Sequence, residues 1–163
     1  MIKEIVSGGQ TGADRAGLDA AAYCYCPTGG WAAKGWLIQT FSGQNVADLS
    51  LQLLGLEEYF QAGYPPRTKA NVQDSDGTVW FGYKSSPGGK LTCNTARRLG
   101  KPLVINPTAQ ELIQWAEEEG VEKLNVAGNR ASALNPDIYL KTFRVIMDAL
   151  KIQKGLLEVC ETG

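Results

Sequence analysis

The chain has 163 residues, 44% of them hydrophobic and 20% charged, with a formal net charge of −1 and a pI near 5.5. That length and balance fit one domain, 1–163, with a core of its own, and they exclude the broad basic footprint of a nucleic-acid binder. No apolar run approaches a membrane span and no signal pattern follows Met1, so the expectation is no membrane and a cytoplasmic location.

Residues 2–6, IKEIV, read as a strand that runs into a glycine loop, SGGQTGADR. Asp14 to Tyr23 reads as a helix whose buried side is nearly all alanine, able to lie close to a sheet. The segment 29–66 breaks the pattern. It is rich in glycine and aromatics, carries GYPP at 63–66, and is expected to form an irregular covering segment with short helical turns. Its aromatics, Trp31, Trp36, Phe41, Tyr59, Phe60 and Tyr64, are expected in a core or interface more than as a ligand platform.

A helix over 68–73 would put Arg67, Thr68 and Asn71 at an upper, ligand-facing end. DSDG at 74–77 then reads as a turn at the amino end of the sheet, not as a metal or acid/base site. GTVWFGY (77–83) is a strand. Lys90 to Leu99 is a helix closed by Gly100 and Pro102. PLVIN (102–106) is a further strand, and Thr108 with Glu111 forms a capping box for a helix over 109–119 that Gly120 ends. KLNVA (123–127) is the next strand. Asn135-Pro136 opens a final helix bearing Tyr139, Phe143, Ile146, Met147 and Leu150 at helical spacing.

Strand–helix alternation of this kind makes an α/β three-layer sandwich, a mostly parallel sheet with helices on both faces. The four cysteines, Cys24, Cys26, Cys93 and Cys160, lack zinc spacing and are expected reduced and mostly buried. No histidine is present, so no Ser–His or Cys–His nucleophile can form from this sequence.

Ligands of open parallel sheets bind beyond the carboxyl ends of the strands. Three loops of suitable kind fall there. SGGQTGADR matches neither the dinucleotide fingerprint nor a Walker loop, yet small residues at a helix N-terminus leave backbone N–H groups for an anion. Gln10, Thr11, Asp14 and Arg15 add polar groups that a bare turn does not need. KSSPGGKLT (84–92) brings Gly88, Gly89, Lys90 and Thr92, and AGNRAS (127–132) brings Gly128, Asn129 and Arg130, the last a bidentate partner for an oxyanion. Lys34, beside Trp31 and Trp36, reads equally as a phosphate cover or a solvated lysine. Together the loops point to a pocket for a small anionic ligand.

SGGQTGADRAGLDAA, GGWAAKG, GYPPRTKANVQDSDGTVWF, GGKLTCNTARRLGKP and LNVAGNRAS resemble, in order, blocks of the molybdenum cofactor carrier family. That family lies in a Rossmann-like group with the lysine-decarboxylase-like phosphoribohydrolases and the DNA-processing protein A fold. The resemblance implies a Rossmann-like fold and binding of molybdenum cofactor (molybdopterin), a pterin with a phosphate and a metal-binding dithiolene, by a homo-oligomer, a dimer or tetramer. Phosphate or molybdate would be able to occupy the same site. By position, the binding groups implied are Gly8, Gly9, Gln10, Thr11, Gly12, Arg67, Thr68, Gly88, Gly89, Lys90, Thr92, Gly128, Asn129 and Arg130. Two departures stand out. Ala32-Ala33 replaces the family's Cys-Pro, and PGGKLTCNTAR lacks the glutamate that phosphoribohydrolases place after this loop, so the acid/base for hydrolysis is missing. The expectation is a carrier with no catalytic residue, against a nucleoside-monophosphate phosphoribohydrolase or a nucleotide-derivative sensor.

Overall fold

In the computed structural model, residues 1–158 are described. Eight strands and five α-helices run in the order β1 (Glu4–Val6), α1 (Ala13–Tyr23), β2 (Thr28–Ala32), β3 (Leu37–Gln39), β4 (Asn45–Ala47), β5 (Leu56–Glu58), α2 (Tyr64–Asp74), β6 (Gly77–Phe81), α3 (Pro87–Arg98), β7 (Leu103–Ile105), α4 (Ala109–Glu119), β8 (Lys123–Gly128) and α5 (Ile138–Gln153). A 3-10 segment, Leu49–Leu54, precedes β5. The sheet order is β5-β2-β1-β8-β6-β7, and every pairing in it is parallel. Helices α1, α4 and α5 pack together on one face and α2 with α3 on the other. This is the expected α/β, Rossmann-like three-layer arrangement.

The two faces differ in chemistry. Ile5, Val79, Phe81, Leu124 and Val126 point into an apolar core against α1, α4 and α5. Their alternate neighbours Thr78, Trp80, Asn125 and Ala127 point the other way, where Asn125 Nδ2 donates to Thr78 Oγ1 at 3.2 Å. Strand alternation thus places polar groups in the buried layer under α2 and α3, and buried polar groups need partners.

Several expectations change. The segment 29–66 is not merely an irregular cover. It supplies β2 and β5 to the main sheet and an antiparallel hairpin, β3–β4. Helix α2 begins at Tyr64, not 68, because Pro65 and Pro66 fit a first helical turn, where an N–H has no partner to lose. Helix α3 begins at Pro87 with Ser86 as its cap, so Gly88 and Gly89 lie in its first turn and not in a loop. Helix α5 begins at Ile138, because Asn135 is engaged in a turn with Ser132. Its buried stripe is Ile138, Thr142, Ile146, Ala149 and Leu150, which leaves Tyr139 on the flank with its hydroxyl donating to Asp19.

Other expectations stand. The Thr108–Glu111 capping box is complete and Gly120 closes α4 in the left-handed conformation. Asp76 accepts from the N–H groups of Glu122 and Lys123, and Asp74 accepts from the Trp31 indole, so DSDG is a structural turn. Cys24, Cys26 and Cys93 are free and buried, and burial pushes their thiols up in pKa. Cys160 lies outside the described residues. Among those residues no helix is long and apolar enough to cross a membrane.

Candidate functional site

A cavity of about 460 Å³ opens beyond the carboxyl ends of β1, β8 and β6, on the α2–α3 side. That volume is ordinary for a small-molecule site. Three loop or helix starts meet there: Gln10 and Asp14 from the first loop, Ser86 to Gly88 from the start of α3, and Gly128 to Arg130 after β8. Helix α2 adds Tyr64, Arg67, Thr68 and Asn71, and Gln39 reaches in from the hairpin.

The first glycine loop does something different from what its composition implies. A Cβ at Gly8 would sit 2.4 Å from Arg67 Nη1, so the guanidinium lies directly on that glycine. A Cβ at Gly12, where φ is +87°, would meet the carbonyl oxygen of Asn129 at 2.5 Å. The backbone comes close to Arg67 and to the loop after β8, not to open space. Five of its N–H groups are also engaged. Gly9 N donates to Ser7 Oγ, Gln10 N to Asp14 Oδ2, Thr11 N to Gln10 Oε1, Ala13 N to Asn129 O and Arg15 N to Gln10 O. The anion at the start of α1 is therefore the protein's own Asp14 carboxylate.

Asp14 is 5% exposed, and its Oδ2 lies 3.9 Å from Arg67 Nη1. Burial pushes its carboxyl up to about 6, against the opposing pull of Arg67 and of the Gln10 and Gly128 N–H groups. Burial likewise lowers the pKa of Arg67, which Asp14 partly restores. Arg67 Nη1 donates to Thr68 Oγ1 at 2.7 Å, and its guanidinium lies over the Tyr64 ring. Among the described residues, Arg67 Nε and Trp80 Nε1 are buried donors without partners.

At the other helix start, Ser86 Oγ caps Gly89 N, while Pro87 has no N–H to offer. Asn129 couples the two helix starts: its carbonyl accepts from Ala13, and its side-chain amide donates to Ser86 Oγ at 3.1 Å and clamps Tyr83. Arg130 Nη1 makes only long contacts, 3.3 Å to Thr40 O and 3.4 Å to Ala131 O.

The structure gathers Gln10, Arg67, Thr68, Asn71, Gly88, Thr92, Gly128, Asn129 and Arg130 around the cavity. Asn71 spends its amide on the Trp31 backbone, so it clamps β2 while lining the wall. The remaining candidates lie elsewhere. Gly8, Gly9 and Gly12 make internal contacts, and Gly89 packs on the Lys84 backbone. Thr11 donates to Gln39 O at 2.7 Å. Arg15 is consumed by Asp19, Asp48 and Ser50. Lys34 and Lys90 are exposed and outside the cavity.

Sequence reasoning did not assign Tyr64, Trp80, Ser86, Leu91 or Asn125 to the site, and noted Asp14 without placing it there. A signal existed for two of them. In KLNVAG and TVWF, Asn125 and Trp80 alternate with Leu124, Val126, Val79 and Phe81, and a polar residue inside a strand covered on both faces marks a wet or ligand-bearing side.

The model of the circularly permutated YpsA SLOG family matches residues 5–150. Among solved structures, a candidate molybdenum carrier protein from Syntrophus aciditrophicus SB is similar at 33% identity, over 91% of this chain and 94% of that one, with a TM-score of 0.76. (E)-4-Hydroxy-3-methyl-but-2-enyl diphosphate reductase, terminal enzyme of the non-mevalonate pathway, aligns over 83% of this chain and 47% of that one, at 15% identity and a TM-score of 0.38, too low to inform fold or function. No curated protein matches. The resemblance carried by the glycine-loop blocks holds over most of the sequence, and the chain belongs to the circularly permutated YpsA SLOG family.

Proposed function

We propose that the protein binds and shields an anionic cofactor, molybdenum cofactor or a related pterin phosphate, in the cavity beyond the sheet. The observation that carries this reading is a cavity of about 460 Å³ whose largely apolar wall is set with a few convergent polar groups, among them Thr92, Asn129 and Arg130. Gly88 lines it from the second position of α3, where a helix leaves an N–H without an internal partner. Thr92 brings a buried hydroxyl, and Arg130 a guanidinium held only by long contacts. Gln10 directs its Oε1 to Thr11 and Gln39, which leaves its Nε2 for the cavity. Such donors hold an oxyanion by charge-assisted hydrogen bonds. The 33%-identical candidate molybdenum carrier supports the choice of ligand.

Each group has a role in binding. Gly88, Thr92 and Arg130 hold the phosphate. The hairpin closes over the mouth through Gln39, fixed by Gln10 and Thr11, and through Thr40, which Arg130 touches. That cover excludes water and oxygen from a dithiolene. The reading includes a cytoplasmic homo-oligomer, which light scattering would show as a multiple of 17.6 kDa.

The test is what copurifies. Protein from a cofactor-producing host, isolated without oxygen, is expected to carry molybdenum and a pterin by elemental analysis and mass spectrometry. Protein that copurifies with neither, and fails to slow oxidative loss of added cofactor, would refute the reading.

A further inference from the structure

One wall of the cavity carries an acid. Asp14 is the only acidic residue among its lining groups, and it occupies the start of α1. Arg67 faces it at 3.9 Å; the other titratable or charged groups lining the cavity are Tyr64 from α2 and Arg130 after β8, and the lining residues from α3, β6 and the hairpin carry none. Its 3.9 Å separation from Arg67 is an ion pair without a hydrogen bond, its hydrogen bond from Gln10 N is long, at 3.3 Å, and the Gly128 N–H and Ser7 side chain only add weaker support to the carboxylate. A carboxylate has about four lone-pair sites. Asp14 therefore retains acceptor capacity inside a cavity otherwise furnished with donors.

Trp80 lines the same cavity. Trp80 pairs in register with Ala127, one residue before Gly128, whose N–H stabilises the Asp14 carboxylate. The far edge of the indole, Cη2, lies 3.9 Å from where a Gly88 Cβ would be. The ring thus lies in the cavity wall beside the start of α3, in the same lining as Asp14. Its Nε1 is a buried donor with no partner among the described residues. The walls beside it are Pro65, Pro87, Leu91 and Ala127. A cavity that holds both a flat aromatic wall and a carboxylate with acceptor capacity suits a planar heterocycle with adjacent N–H donors on one edge.

We propose that Asp14 is the specificity-determining residue of this site: it selects a 2-amino-4-oxo pyrimidine ring, as in pterins and guanine, against a 6-amino purine. The proposal rests on the binding function above and fixes the ligand's direction, phosphate at the start of α3 and ring edge at Asp14. The 2-amino group and the adjacent ring N–H give a carboxylate two parallel hydrogen bonds. The corresponding edge of adenine offers one N–H and a ring nitrogen whose lone pair faces the carboxylate. A site built for two donors rejects a ligand that lacks one of them.

Calorimetric titration of the full chain with neopterin monophosphate, GMP, AMP and inorganic phosphate tests this. At pH 8 the pterin phosphate and GMP are expected to bind about ten- to a hundredfold more tightly than AMP, the range of a charged hydrogen bond. Asp14→Asn, which keeps shape but substitutes a donor, is expected to abolish the preference. In the wild type alone, the GMP-to-AMP ratio is expected to collapse between pH 8 and pH 5 as Asp14 gains its proton; phosphate ionisation affects both nucleotides alike and cancels. Equal binding of GMP and AMP at pH 8, or a preference unchanged at pH 5 or in Asp14→Asn, overturns the inference and leaves the anion site intact. Failure of all four probes to bind overturns the site and the inference together.

Discussion

Asp14 and Arg67 face each other in the cavity wall, Oδ2 to Nη1 at 3.9 Å, and burial disfavours the charge on each. Neither would be stable there alone. Arg67→Ala is expected to cost about 3–5 kcal/mol, the range for stranding a buried partner. The double variant Arg67→Ala, Asp14→Ala is expected to be more stable than Arg67→Ala by itself. Urea denaturation of the four proteins checks the cycle, and additive losses would show that the two residues do not act as a pair.

The pH dependence follows from the same carboxylate. Its pKa rises from an ordinary 3.8 to about 6 on folding. Well below pH 3.8 both states are protonated and the residue contributes no penalty. As pH rises to 6 the unfolded chain loses its proton first, so the native state becomes progressively less favourable. Above 6 the penalty is complete, roughly 3 kcal/mol at about 1.36 kcal/mol per pKa unit. Asp14→Asn is therefore expected to flatten the stability curve between pH 4 and 6 relative to wild type. Denaturation midpoints across that window decide, and parallel curves would contradict the raised pKa.

Gly8→Ala tests why the first loop is glycine-rich. Its Cβ would collide with the Arg67 guanidinium, so a loss of about 1–3 kcal/mol is expected, as for overpacking of a buried contact. Thermal melting measures it. An unchanged midpoint would mean Arg67 moves aside freely.

That loop marks the limit of what the sequence makes legible. Glycines at a strand end signal close approach, but not of what: Gly8 admits Arg67 and Gly12 admits the Asn129 carbonyl, both remote in sequence. Arg67, Thr92 and Arg130 were readable because each sits in a polar loop or helix start at the carboxyl end of a strand. The parallel core was readable from β-branched runs and from the Thr108–Glu111 and Gly120 caps. Strand β2 was not, since TGGWA carries two glycines; it is held by its ladders to β1 and β5 and by the Asn71 side-chain amide on Trp31. Strand β5 is three residues with two glutamates, a pattern without strand signal.

Arg130→Ala is expected to weaken phosphate-ester binding by about 1.5–3 kcal/mol, the value of a charged hydrogen bond. Thermal stability should barely change, because Arg130 makes only long contacts to two carbonyls. Calorimetry and melting separate the outcomes: a large stability loss with unchanged affinity would make Arg130 structural.

Lys34→Ala and Lys90→Ala supply the opposite expectation. Both side chains are exposed and outside the cavity, so affinity for the same esters should stay within about 0.5 kcal/mol of wild type. A tenfold loss in either would extend the site beyond the cavity.

The most direct measurement of cofactor binding is an anaerobic equilibrium titration with molybdenum cofactor, on wild type and on Leu91→Trp, which fills the cavity wall. Saturable binding at one cofactor per chain, lost in folded Leu91→Trp, is the expected result. No saturable binding by the wild type, or equal binding by the filled variant, would contradict a carrier site in this cavity.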